Sequence, residues 1–150
     1  MDLFDAIGSD PRDVQLAPGA MLLGGFARAF ETPLIEAVRA IVQRAPFRHL
    51  VTPGGHRMSV AMTNCGAVGW VSDRTGYRYD AIDPDSGQPW PPMPDVFTRL
   101  AHEAAAKVGF ADFRPEACLI NRYEPGAKLS LHQDKDELDF AHPIVSVSLG

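Results

Sequence analysis

Cys118-Leu-Ile-Asn-Arg-Tyr-Glu-Pro-Gly-Ala-Lys-Leu-Ser-Leu-His-Gln-Asp-Lys-Asp-Glu137 decides how the chain is read. Its centre, Glu124-Pro125-Gly126, has Pro at the second and Gly at the third turn position, which favours a type II turn. The flanking segments Cys118–Tyr123 and Ala127–His132 alternate and read as strands. Residues two apart on a strand point the same way. Ser130, His132 and Asp134 therefore share one face, and Leu119, Asn121 and Tyr123 share one face of the other strand. An imidazole and a carboxylate side by side can grip one cation, and nitrogen plus oxygen donors suit Fe(II) with open positions. If both polar faces line one cavity, the Asn121 amide and Tyr123 phenol stand where they can hydrogen-bond a chelating carboxylate.

The His-x-Asp pair alone is a weak signal. With five His and 19 acidic residues among 150, such a spacing arises readily by chance, and a surface hydrogen bond is the plainer reading. The chain is 45% apolar and 22% charged, the balance of one globular domain over residues 1–150. No apolar run approaches the roughly 18 residues of a membrane span, so no membrane partner is expected. A net charge of −5 argues against a general nucleic-acid binder but not against a local phosphate grip. Two cysteines, Cys65 and Cys118, and an acidic start, Met1-Asp-Leu-Phe-Asp5, suggest a reducing cytoplasm.

Upstream, the first thirty residues read as a loose acidic lead and a short apolar segment, Ala20 to Leu23. Thr32 as N-cap and Pro33 at the first helical position predict a helix, with Leu34, Ile35, Val38, Ile41 and Val42 on one face and Pro46 closing it. A second helix is predicted from Asp95, with Phe97, Leu100, Ala104 and Val108 inward and Gly109 as its stop. Between them lies a strand- and turn-rich region. Met58, Val60 and Met62 alternate with Ser59, Ala61 and Thr63 as a half-buried strand, and Asn64-Cys65-Gly66 reads as a turn. Pro89-Trp90-Pro91-Pro92-Met93-Pro94 reads as a stiff connector, and Ile144 to Leu149 as a third late strand. The pattern is α+β, with a sandwich or barrel-like sheet system whose second half is missing.

The run Leu119–Glu137 closely resembles the iron-binding segment of the AlkB family, the Fe(II)/2-oxoglutarate-dependent DNA repair dioxygenases. Ala45-Pro-Phe-Arg48, Val51-Thr-Pro-Gly-Gly55, Met58-Ser-Val-Ala-Met-Thr-Asn-Cys-Gly66, Trp70, Gly76-Tyr77, Ile82-Asp-Pro84 and Ile144-Val-Ser-Val-Ser-Leu-Gly150 are similar to that family in the same order. The resemblance implies a double-stranded β-helix (jelly-roll) core from about residue 114, incomplete at the C-terminus, with two N-terminal helices. It also implies a nucleotide-recognition lid over about 46–90.

By the same resemblance, His132 and Asp134 are two of three Fe(II) ligands, and Asn121 and Tyr123 belong to the 2-oxoglutarate site. Trp70 stacks on a flipped methylated base opposite His132, with Met62 nearby and Asp136 beside the base's exocyclic group. Tyr77 and Thr52 contact the DNA backbone. Read without the family, Trp70 and Met62 are more simply core residues, and Asn121 and Tyr123 an ordinary solvent face. The implied activity couples 2-oxoglutarate and O2 consumption to hydroxylation of an N-methyl group, with loss of formaldehyde. The expected substrate is methylated single- or double-stranded DNA, with RNA as a further candidate, handled by a monomer. A third iron ligand (a later His) and carboxylate-binding arginines are expected past Gly150, so this chain alone is expected to be weakly active or inactive. His56 stands where the family has Tyr. The alternatives are a dioxygenase acting on another substrate and an inactive binding module.

Overall fold

The computed structural model describes residues 13–17, 20–123 and 144–149. Two short strands open it, β1 (Asp13–Ala17) and β2 (Ala20–Leu23), paired antiparallel with Asp13 opposite Leu23. The first strand was not expected from its acidic composition.

A 3₁₀ turn over Phe26–Phe30 feeds directly into helix α1, Glu31–Arg44. The N-cap is Phe30, not Thr32, because the 3₁₀ turn already supplies helical backbone before it. Leu34 and Ile41 are buried on its inner face, whereas Ile35 is 36% exposed and drops out of the expected stripe. Pro46 follows the C-cap Ala45 and ends the helix, since the residue before Pro is pushed to extended backbone.

Helix α2 (Asp95–Lys107) begins after Pro94 and buries Leu100, Ala101, Ala104 and Ala105. Gly109, at φ 101°, closes it in a left-handed turn: the Phe110 amide donates to Ala105 O at 2.9 Å and the Gly109 amide to Ala106 O at 3.1 Å. Phe30, Leu34 and Leu100 form the core between the helices, with Phe97 and Val145 packed against it.

Two further strand pairs matter more for the site. β3 (Ala61–Gly66) pairs antiparallel with β6 (Ala117–Arg122), placing Met62 opposite Asn121 and Cys65 opposite Cys118. Residues 61–65 are all buried, so β3 is a central strand covered on both faces rather than the expected half-buried one. Asn64-Cys65-Gly66 is the end of that strand, and the chain turns only after it. β4 (Gly69–Asp73) and β5 (Gly76–Asp80) form a tight hairpin around Arg74-Thr75.

Residues 144–149 carry no ladder among the described residues and are mostly exposed, which corrects the expected third strand: alternation gives a strand only where a partner completes its hydrogen bonds. The Pro125-Gly126 turn and the strand after it lie outside the described residues. Among the described residues no helix is long and apolar enough to cross a membrane.

Candidate functional site

The site is assembled on β3 and the hairpin beside it. Met62 exchanges both main-chain hydrogen bonds with Arg48, at 3.0 and 2.8 Å. Its peptide groups thus face away from β6, and Met62 and Asn121 form a non-hydrogen-bonded pair, the kind whose side chains lie closest. Met62, Asn64, Leu119 and Asn121 share that face, and Tyr123 follows at the end of β6. Asn121 is exposed, Tyr123 is 56% exposed, and neither side chain makes a hydrogen bond to another described residue. An amide and a phenol free of such partners are fitting donors for a small dicarboxylate. On the opposite face Arg122 lies over the Phe47 ring, 4.6 Å from its centroid.

The hairpin presents aromatic side chains. Trp70 is half-buried, and the ring of Tyr77 (52% exposed) stacks on it with centroids 5.6 Å apart and planes 18° from parallel. Trp70 is directly opposite Tyr79 in the ladder, so Tyr77 is its diagonal neighbour on the same face. The hairpin end is tied by Asp73, which accepts from the Thr75 amide at 2.9 Å and from Arg78 at 3.0 Å. Hydrogen bonds from Thr75, then Arg78, hold the Asp73 carboxyl below its ordinary pKa.

Thr52 lies in a loop docked on this hairpin. The Ser72 hydroxyl donates to Val51 O at 2.7 Å, and the Thr52 hydroxyl accepts from the His56 amide at 3.1 Å. Thr52 therefore closes its own loop, and Thr52, Trp70 and Tyr77 come together on one unit.

What fixes this unit was not legible beforehand. Trp90, read as part of a connector, is 4% exposed and covers the first rung of the hairpin. Its Nε1 donates to Asp80 O at 2.9 Å, and its ring lies so close to Gly69 that a Cβ there would be 2.4 Å from it. Arg48 sits 5.3 Å above that ring and donates twice to Asp83, once at 3.0 Å. Burial raises the Asp83 carboxyl, but hydrogen bonds from Arg48, the Asp85 amide and Ser86 outweigh it and leave the pKa lowered. The alternation of an Arg in Pro-Phe-Arg with a distant Asp-Pro-Asp turn carries no periodic signal; only the turn chemistry of Asp83 was visible.

Cys65 is a buried packing group opposite Cys118 in the ladder. A hydrogen bond with Cys118, then burial, push the Cys65 thiol up, which keeps it neutral. Among the described residues no three His, Cys, Asp or Glu side chains are placed to hold a metal. The expected metal pair, His132 and Asp134, and the expected base contact Asp136 lie outside the described residues.

Comparison with known proteins gives this geometry its context. The profile of the 2OG-Fe(II) oxygenase superfamily matches residues 19–150. The alpha-ketoglutarate-dependent dioxygenase AlkB of Escherichia coli (strain K12) is 54% identical over 150 residues, spanning 100% of this chain and 68% of that protein. Its counterpart from Salmonella typhimurium is 53% identical over the same shares. The nucleic acid dioxygenase ALKBH1 of Homo sapiens is 36% identical over 81 residues, 54% of this chain and 21% of its own.

Proposed function

The chain belongs to the AlkB family of the 2OG-Fe(II) oxygenase superfamily, and on that premise we propose that it removes N-alkyl groups oxidatively from nucleic-acid bases. Fe(II), 2-oxoglutarate and O2 supply the hydroxylating power when bound, and the chain supplies orientation and shielding. His132 and Asp134 offer the nitrogen and oxygen donors that suit Fe(II). The Asn121 amide and Tyr123 hydroxyl bind the 2-oxoglutarate carboxylates from the Met62 face of β6.

Residues 46–90 act as the lid over the nucleotide. An N-methyl group on a base edge is hidden in a duplex, so the nucleotide must be extruded or already unpaired. Trp70 takes the extruded base against its indole face, with Tyr77 backing the ring and Met62 closing the side toward Asn121. Thr52 and Tyr77 touch the sugar-phosphate backbone, and Asp136 attracts the cationic methylated ring. Hydroxylation leaves a hemiaminal on the base, which sheds formaldehyde.

The observation that carries this reading is the Trp70–Tyr77 stack, a half-buried indole and an exposed phenol, on a strand tied through Asn64 to β3, which carries the Met62–Asn121 pair. Sequence-tolerant stacking on an aromatic ring is worth about 1–3 kcal/mol per base. Trp70→Ala is therefore expected to raise KM for an N-methylated single-stranded oligonucleotide roughly ten- to hundredfold, read as succinate release. An unchanged KM would refute a flipped base as the substrate.

A further inference from the structure

Asn64 lies on the same face of β3 as Met62, two residues further along the strand. Its side chain is 3% exposed and makes two hydrogen bonds to one residue. Its Nδ2 donates to Trp70 O at 3.0 Å, and its Oδ1 accepts from the Trp70 amide, also at 3.0 Å. Because Trp70 offers both main-chain groups to Asn64, they point away from β5, and the Trp70–Tyr79 pair is a non-hydrogen-bonded one. The Asn64 carboxamide thus replaces one residue of a neighbouring strand on the outer edge of β4. A carboxamide is the one side-chain group here able to offer a donor and an acceptor in that spacing without a charge.

We propose that Asn64 is a positioning residue for base recognition: its carboxamide sets the depth and tilt of the Trp70 indole relative to the cofactor-binding face. The inference rests on Trp70 being the base platform. The restraint is local and complete. The side chain spans only the turn from β3 to β4, no buried side-chain nitrogen or oxygen among the described residues lacks a partner, and Trp70 has no other tie to β3 of this kind. Met62 and Asn64 ride on the same strand, so the strand that carries the Met62–Asn121 pair also carries the clamp on Trp70. Placement of the base and placement of the co-substrate are thereby referred to one rigid element.

The test is a double-mutant cycle in the complete protein loaded with Fe(II) and 2-oxoglutarate, read as KM for an N-methylated single-stranded oligonucleotide. Asn64→Ala, Trp70→Ala and the double variant are compared, with 5-fluorotryptophan NMR reporting Trp70 and Trp90 separately. Asn64→Ala is expected to raise KM about tenfold, part of the loss expected for removing the stacking ring itself. The Trp90 resonance should stay in place while the Trp70 resonance shifts or broadens.

In the Trp70→Ala background, Asn64→Ala should add less than about a twofold change, because residues acting as a unit are not additive. Additive effects, or an unchanged KM with both resonances undisturbed, would overturn the role of Asn64 while leaving the base platform intact. A Trp70→Ala variant with unchanged KM would instead remove the platform reading, and the Asn64 role with it. Should Asn64→Ala disturb the Trp90 resonance, Asn64→Asp decides. It keeps the shape and the acceptor but turns an oxygen toward Trp70 O, and must give the same rise in KM with Trp90 in place.

Discussion

Replacing Arg48 by Met removes the guanidinium that joins three parts of the site unit. It donates to Asp83 twice, covers Trp90 at 5.3 Å, and belongs to the residue bonded to Met62 through the main chain. The Arg48 side chain is 13% exposed and that of Asp83 2%, so the pair is nearly dry. Removing one member of a buried pair costs about 3–5 kcal/mol, mostly for the charge left behind. The Asp85 amide, 2.9 Å from Asp83 Oδ1, still solvates that charge, which places the loss near the lower end, about 3 kcal/mol. For a chain of this size, 1 kcal/mol moves Tm by about 2–4 °C, so a fall of roughly 6–12 °C is expected by calorimetry or circular dichroism.

The lowered folded-state pKa of Asp83 fixes the pH dependence. The pair's contribution is fully present above the unfolded carboxylate value of about 3.9 and is lost as pH falls through the lower folded value. The Tm gap between wild type and Arg48→Met should therefore be full at neutral pH and shrink in acid. Arg48→Met with Asp83→Asn should recover about 1–3 kcal/mol relative to the sum of the single changes, since no charge is then stranded. A fall below about 2 °C, or strict additivity, would refute the buried-pair argument.

Gly69→Ala should destabilise by about 1–3 kcal/mol, because the new Cβ meets a Trp90 ring that is pinned by its bond to Asp80; urea melts followed by tryptophan fluorescence would show it. Tyr77→Ala should weaken oligonucleotide binding by about 0.5–1.5 kcal/mol, the worth of an aromatic pair, with a small change in Tm; fluorescence titration of Trp70 measures both the affinity and the loss of the stack. Asn121→Ala should raise KM for 2-oxoglutarate about tenfold to a hundredfold, for the loss of a hydrogen bond to a charged group, while Arg48→Met should leave that constant nearly unchanged; succinate release at varied 2-oxoglutarate separates the two.

The two helices were legible because apolar residues recur at helical spacing and their ends carry Pro46 and Gly109. The helix start was misjudged because a 3₁₀ turn precedes it, and such a turn has no periodic signature. β3 was placed from alternation, but alternation could not reveal that both of its faces are covered, nor that its partner is β6 rather than a neighbour in sequence. Asn64 illustrates why the rest was hidden. Its residue type suggests a turn, and the fold instead uses its carboxamide as a piece of backbone. Trp90, embedded among prolines, read as a connector because its burial depends on Gly69 and Arg48, which are remote in sequence. Thr52, Met62, Trp70 and Tyr77 were named through resemblance, and Asn121 and Tyr123 first from the faces of their strand; within the described residues these six fall on one strand pair, one hairpin and the loop docked to it.

Oxidative removal of an N-alkyl group is tested most directly by product stoichiometry in the complete protein with Fe(II), 2-oxoglutarate and O2. With an N-methylated single-stranded oligonucleotide, succinate, formaldehyde and restored base should form in equal amounts. All three should be lost in His132→Ala and Asp134→Ala. Succinate formed at the same rate on the unmethylated oligonucleotide, or full turnover by either variant, would contradict the account.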